Sequence, residues 1–216
     1  MKIIPAILAE TFEEFSLHMR QAEKFAGYVQ IDIMDGIFVD TRSFEVEMID
    51  RIVTELTFEV HLMVQDPLLA LTHINNPSLK RAIFHAEASG DLSLFIEKAR
   101  QRGMSVGMAV KPETPLGSFR DLAGYVDALL FLTVEPGRYG SPFKPEVLDK
   151  LKQARQEFPE KIVAADGGVS LDNLKLLYDA GVDQVCIGSR IFLHGNPEAN
   201  YRMFTGRIRE LGGSDK

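Results

Sequence analysis

Residues 29–40 read VQIDIMDGIFVD, a run of β-branched and long apolar residues with aspartates set into it at positions 32 and 35. Val, Ile and Met at that density describe a strand covered by protein, and a lone carboxylate is too costly to bury there without a partner. Something close in space must hold the charge. The same conflict recurs at FEVHLMV, residues 58–64, and at KIVAADG, residues 161–167, where a histidine and a further aspartate interrupt apolar runs. Side chains alternate along a strand, so Gln30, Asp32 and Met34 share one face, and Ile31, Ile33 and Asp35 the other. Glu59, His61 and Met63 likewise stand opposite Val60, Leu62 and Val64.

Eight such runs can be counted: KIIPAIL, YVQIDIM, FEVHLMV, AIFHAEA, SVGMAV, ALLFLTV, KIVAADG and QVCIG. Between them lie segments with apolar residues at three and four spacing, such as FEEFSLHMRQAEKFA, LSLFIEKARQR, PEVLDKLKQARQEF and LDNLKLLYDAG. Thr11 and Ser170 are expected as N-caps, and Gly103 and Gly181 as helix stops. The fifth helix, around PLGSFRDLAG, is expected to be short. Strand then helix, repeated eight times without a linker, predicts an α/β fold of the (β/α)8 TIM-barrel type, a single domain over residues 1–216. No G-x-G-x-x-G follows the first strand, which counts against an open doubly wound sheet. In the barrel the apolar faces meet the helices, and Gln30, Asp32 and His61 point inward.

An excess of 31 acidic over 24 basic residues argues against nucleic acid or an anionic membrane as a partner. A small anion stays compatible, because backbone N–H groups bind phosphate whatever the net charge. The single cysteine, Cys186, allows no disulfide within the chain, which fits a cytoplasmic location. The start, MKIIPAILAE, reads as a strand rather than a signal peptide, and no apolar run reaches the ~18–20 residues that span a bilayer.

Reactive groups of a barrel belong at the C-terminal ends of its strands. Asp32, His61 and Asp166 all fall there, and two carboxylates beside an imidazole repel or desolvate one another unless a cation joins them. A divalent metal ion resolves the conflict, which makes Asp32 a metal ligand. Asp35, next to Gly36, is expected to be a turn residue instead.

The segments IDIMDGIFV, VHLMV, FHAEA, KPETPL, LTVEPGRYG, ADGGV and CIGSRIF occur in that order, and together they resemble the ribulose-phosphate 3-epimerase family from Pro5 to Phe192. The resemblance implies a metal-dependent barrel that inverts the carbon beside the ketone of a pentulose 5-phosphate, by default D-ribulose 5-phosphate to D-xylulose 5-phosphate. It implies that Asp32 and Asp166 are both metal ligands and the acid-base pair, with His61 a further ligand. Inversion needs one proton-transfer group on each face, and the weakly acidic proton beside a ketone needs a Lewis acid to stabilise the developing oxyanion. The phosphate end is expected at Gly167-Gly168, Gly188-Ser189 and the loop Gly137-Arg138-Tyr139-Gly140. Met34 and Met63 would cap the site, and His85, paired with Glu87, would orient a neighbour.

Departures from the family pattern cluster at the same place. Gln30 stands where the family has a metal-binding histidine, Ala9 replaces a serine, and Glu135 and Lys111 each replace an asparagine. The amide oxygen of Gln30 is a harder, weaker ligand than imidazole, which shifts the preference among Zn, Mn, Mg and Fe toward Mg or Mn. Two other readings remain open. A phosphosugar lyase on the same barrel would need a lysine in D-x-K-x-x-D, absent from DIMDGI, or a Schiff base at Lys111. A non-catalytic phosphosugar-binding descendant would explain the lost histidine and serine. Association into a homo-oligomer is left open.

Overall fold

The structure, a computed structural model, describes residues 1–137 and 140–213. Eight parallel strands close into a barrel in chain order: β1 (Lys2–Leu8), β2 (Tyr28–Met34), β3 (Thr57–Met63), β4 (Leu79–His85), β5 (Ser105–Val110), β6 (Ala128–Leu132), β7 (Ile162–Asp166) and β8 (Gln184–Ile187). β8 returns to β1 through Ile4↔Cys186 and Pro5↔Ile187, so the sheet has no open edge.

The outer layer holds α1 (Phe12–Ala22), α2 (Pro67–Thr72), α3 (Leu92–Gln101), α4 (Arg120–Ala123), α5 (Val147–Glu157), α6 (Leu174–Asp179), α7 (Ser189–Phe192) and α8 (Pro197–Gly213). The repeat is less regular than eight equal units. Between β2 and β3 there is only a 3-10 segment, Val46–Arg51, which buries Ile49 and gives way at once to the β-branched Ile52, Val53 and Thr54. The helix expected around PLGSFRDLAG is α4, and it is short, four residues. Thr11 caps α1 by accepting from the Glu14 N–H, and Gly103 and Gly181 take the left-handed conformation after α3 and α6. Ser170 caps the turn that leads into α6, its Oγ accepting from the Asn173 N–H at 3.4 Å and its carbonyl from the Leu174 N–H at 3.0 Å. The Asn173 side chain accepts from Ser170 N–H and donates to Gly168 O, holding a turn that delays α6 until Leu174.

Alternation decides what each strand face meets. Ile31, Ile33, Val60, Leu62, Phe84 and Val106 face outward into the core between barrel and helices, where Phe84 packs edge-on against Phe95 of α3. The inward set is different. Ile4, Ala6, Ile83, Ala109, Leu130, Ala164 and Cys186 form a small apolar layer inside the barrel. Gly107 belongs here for steric reasons: a Cβ would come within 2.8 Å of Ile83 Cγ1.

At the N-terminal end of the barrel lies a buried polar group. Arg81 donates to Glu59 Oε2 at 2.9 Å and to Gln184 Oε1 at 3.1 Å, and the Tyr28 hydroxyl donates to the same Glu59 oxygen at 3.0 Å. Burial holds the Glu59 carboxyl above its ordinary value, with the Arg81 charge only partly opposing it. No helix among the described residues is long and apolar enough to cross a membrane.

Candidate active site

Register brings the expected residues together at the C-terminal end. Asp32 pairs with His61 across β2 and β3, while Asp166 arrives on β7, level with Leu132 and Cys186. His61 Nδ1 lies 3.0 Å from Asp32 Oδ1 and 3.4 Å from Asp166 Oδ2. One ligand atom from each of the three residues lies within 4.8 Å of the others, so a single divalent ion fits among two carboxylates and an imidazole. Gln30 sits one inward position below Asp32. Its Nε2 donates to Asp32 Oδ1 at 2.9 Å and to Asp166 Oδ2 at 2.7 Å, and its Oε1 accepts from the Cys186 thiol at 3.1 Å. The amide therefore turns its donor end to the carboxylates and ties them together.

The surroundings perturb Asp32 and His61. Burial raises the Asp32 carboxyl, the hydrogen bond from His61 opposes that, and the Asp166 charge adds to it. Burial also disfavours a charged His61, yet hydrogen bonds to Asp166 and Asp32 override it and lift the imidazole to about 9. A raised histidine stabilises the fold below its ordinary value of 6.5, and that contribution is lost as pH climbs through about 9. Protein kept free of divalent ions should therefore lose several degrees of thermal midpoint between pH 6.5 and about 9, and excess Mn2+ should flatten the slope. A melting series with and without chelator checks this; a midpoint that stays level in chelator would contradict a charged His61.

A chain of contacts continues behind His61. Its Nε2 is 2.9 Å from His85 Nε2, and His85 Nδ1 is 3.2 Å from Glu87 Oε2. The other Glu87 oxygen accepts from the Lys111 backbone N–H at 2.9 Å and from the Thr114 hydroxyl. Burial brings His85 down to about 4, so the ring is neutral. Burial opposes ionisation of Glu87, but its bonds from His85, Thr114 and Lys111 outweigh that and hold it at about 2. Phe38 packs on the His85 ring at 4.6 Å, and the Lys111 ammonium lies over Phe38 at 4.2 Å. Asp35 takes the structural role expected of it, accepting from the N–H groups of Ile37, Phe38 and Gln65.

Above the cluster opens a cavity of about 290 Å³, with Asp32, His61, Asp166 and Cys186 in its wall. Met63, Gly137, Gly140, Gly167, Gly168, Gly188 and Ser189 line it as well. Gly167 must be glycine: its φ is +105°, and a Cβ would fall 2.3 Å from Val134 Cγ2. Met34 is not on this wall; it is buried against Met63 and Val39. Arg138 and Tyr139 lie outside the described residues. Ala9 packs into the outer core. Glu135 opens onto a neighbouring recess beside Phe38 and Lys111, and Lys144 neutralises it at 3.0 Å.

Arg190 and Asn173 line the main cavity, although the sequence pattern does not single them out. The only trace of Arg190 is a basic residue two places beyond Gly188, a signal shared with many ordinary helix surfaces.

Residues 2–192 match the profile described as the ribulose-phosphate 3 epimerase family. The ribulose-phosphate 3-epimerase of Schizosaccharomyces pombe is 30% identical over 203 residues, covering 91% of this chain and 89% of that protein. The protein of the same name from Mycobacterium bovis is 31% identical, covering 91% and 88%. Among solved structures, 3-hexulose-6-phosphate synthase from Salmonella typhimurium superposes with a TM-score of 0.71 at 18% identity, covering 98% of this chain and 100% of that one. At that identity the likeness speaks for the shared barrel alone. With the barrel, the Asp-His-Asp cluster and the sequence match over residues 2–192 in place, the chain belongs to the ribulose-phosphate 3 epimerase family of isomerases.

Proposed function

We propose that the protein is a divalent-metal-dependent epimerase that inverts the carbon beside the ketone of a ketose phosphate, with D-ribulose 5-phosphate and D-xylulose 5-phosphate as its substrate pair. The observation that carries this reading is the placement of Asp32 on β2 and Asp166 on β7, facing one cavity with His61 between them. Two carboxylates from separate strands can address a planar intermediate from opposite faces, one taking the proton and the other returning one. Asp32, His61 and Asp166 would hold the metal, which when bound supplies a Lewis acid beside the substrate oxygens. Gln30 contributes by holding the two carboxylates at a fixed separation.

The phosphate end of the substrate belongs at Gly167, Gly168, Gly188 and Ser189, where glycines let backbone N–H groups approach an anion, with Arg190 adding a cationic side chain. Met63 and Leu132 supply apolar wall on the sugar side. A cytoplasmic enzyme of pentose phosphate metabolism is the setting this reading implies.

The test is solvent exchange. Incubated with Mn2+ and D-ribulose 5-phosphate in deuterated water, the enzyme is expected to place deuterium on C3 of the xylulose product, read by NMR. Absence of both exchange and conversion with pentulose and hexulose phosphates, under Mn2+, Mg2+ and Zn2+ in turn, would overturn the epimerase reading.

A further inference from the structure

We propose that Glu87 and His85 are positioning residues that hold one proton of His61 on Nε2, so that the proton a metal would displace is the one on Nδ1, facing Asp32 and Asp166. The proposal rests on the metal-dependent reading above, and goes beyond it in assigning how one ligand is prepared.

The argument is one of hydrogen-bond polarity. Glu87 commits Oε1 to two donors, the Lys111 N–H and the Thr114 hydroxyl, and turns Oε2 to His85 Nδ1. A carboxylate only accepts, so His85 carries its proton on Nδ1 and exposes a bare Nε2. That bare nitrogen stands 2.9 Å from His61 Nε2, and the contact is a hydrogen bond only if His61 is the donor. With Nε2–H committed, the nitrogen left to lose its proton is Nδ1, the one facing the two aspartates.

Both rings are buried, His61 at 1% and His85 at 0% exposure, so water cannot stand in for either partner. The chain also begins from a rigid end. The Lys111 N–H is a backbone donor just past β5 and cannot be reversed.

Glu87→Gln tests this with almost no change of shape. The amide has one accepting oxygen, which the backbone N–H of Lys111 claims, so its NH2 group faces His85 Nδ1. His85 must then move its proton to Nε2, and His61 must give up its own Nε2 proton to accept there, keeping the one on Nδ1. The direction of every bond in the chain is reversed, and the metal-facing nitrogen is blocked.

Two readouts are expected to move together. At pH 7 and without metal, 15N NMR of labelled histidine should find His85 as the Nδ1–H tautomer in the native protein and as the Nε2–H tautomer in E87Q. Mn2+ affinity, measured by calorimetry, should fall by roughly 10- to 100-fold in E87Q. Thr114→Val removes one bond to Glu87 without reversing the chain, so it should keep the native tautomer and near-native affinity. A native Nε2–H tautomer at His85, or E87Q binding Mn2+ as tightly as the native protein, would overturn the proposal. If the native protein binds no Mn2+ at all, the metal reading fails, while the tautomer of His85 still decides the polarity of the chain.

Discussion

Asp166→Asn is expected to lower kcat in both directions by at least roughly 10³-fold while the fold stays intact. The substitution keeps shape but removes a proton acceptor and one of the two negative charges that would hold the ion. The introduced carboxamide can still accept from the Gln30 amide through its own oxygen, so the β2–β7 tie survives, although the metal-free protein should melt a few degrees lower at pH 7 because Asp166 helps hold His61 charged. On the proposed mechanism Asp32 would remain as the base on the other face. Exchange of solvent deuterium into one of the two epimers should therefore outlast interconversion, provided metal is saturating. The epimer that still exchanges identifies the face each aspartate serves. Turnover within tenfold of native would remove Asp166 from the acid-base pair.

Arg81→Met should produce the largest loss of stability. Arg81 is the charged partner of Glu59, and their side chains are 11% and 2% exposed. Methionine preserves the stem but leaves the Glu59 carboxylate with the Tyr28 hydroxyl as its remaining partner. Breaking a buried pair from one side costs about 3–5 kcal/mol, because the remaining charge is uncompensated. Adding Glu59→Gln to the same chain should recover a large part of that loss, since the charge is then gone. Urea denaturation of the single and double variants checks both statements. An Arg81→Met protein as stable as native, or a double variant worse than the single, would show that the Glu59 charge is not what Arg81 balances.

Much of the fold was legible because barrel strands carry two readable faces. KIIPAIL and YVQIDIM coincide with β1 and β2, and Ile31, Ile33, Val60 and Leu62 face the helices as their alternation requires. The same parity placed Asp32 and His61 at the mouth. What parity cannot carry is contact between rings two positions apart on adjacent strands. His61 is level with Ile83 rather than with His85, and the pairing of β3 with β4 shifts at Phe58 and Glu59. The meeting of the two imidazoles therefore depends on strand stagger and side-chain rotamers. The delayed start of α6 was hidden for a related reason: Asn173 competes for the turn with its own side chain, which a count of apolar spacing does not register. The missing helix before β3 reflects a segment that buries one isoleucine and then turns β-branched.

The apolar layer of Ile4, Ala6, Ile83, Ala109, Leu130, Ala164 and Cys186 fills the barrel interior alongside the Arg81–Glu59 pair and the Asp-His-Asp cluster, while on β3 Glu59 and His61 are successive inward positions. The interior is thus built by side chains of the strands themselves, not by the loops above them. Loops grafted onto the open end from another barrel could rewrite which molecule is handled there, while the closed end went on setting how firmly the scaffold resists denaturant.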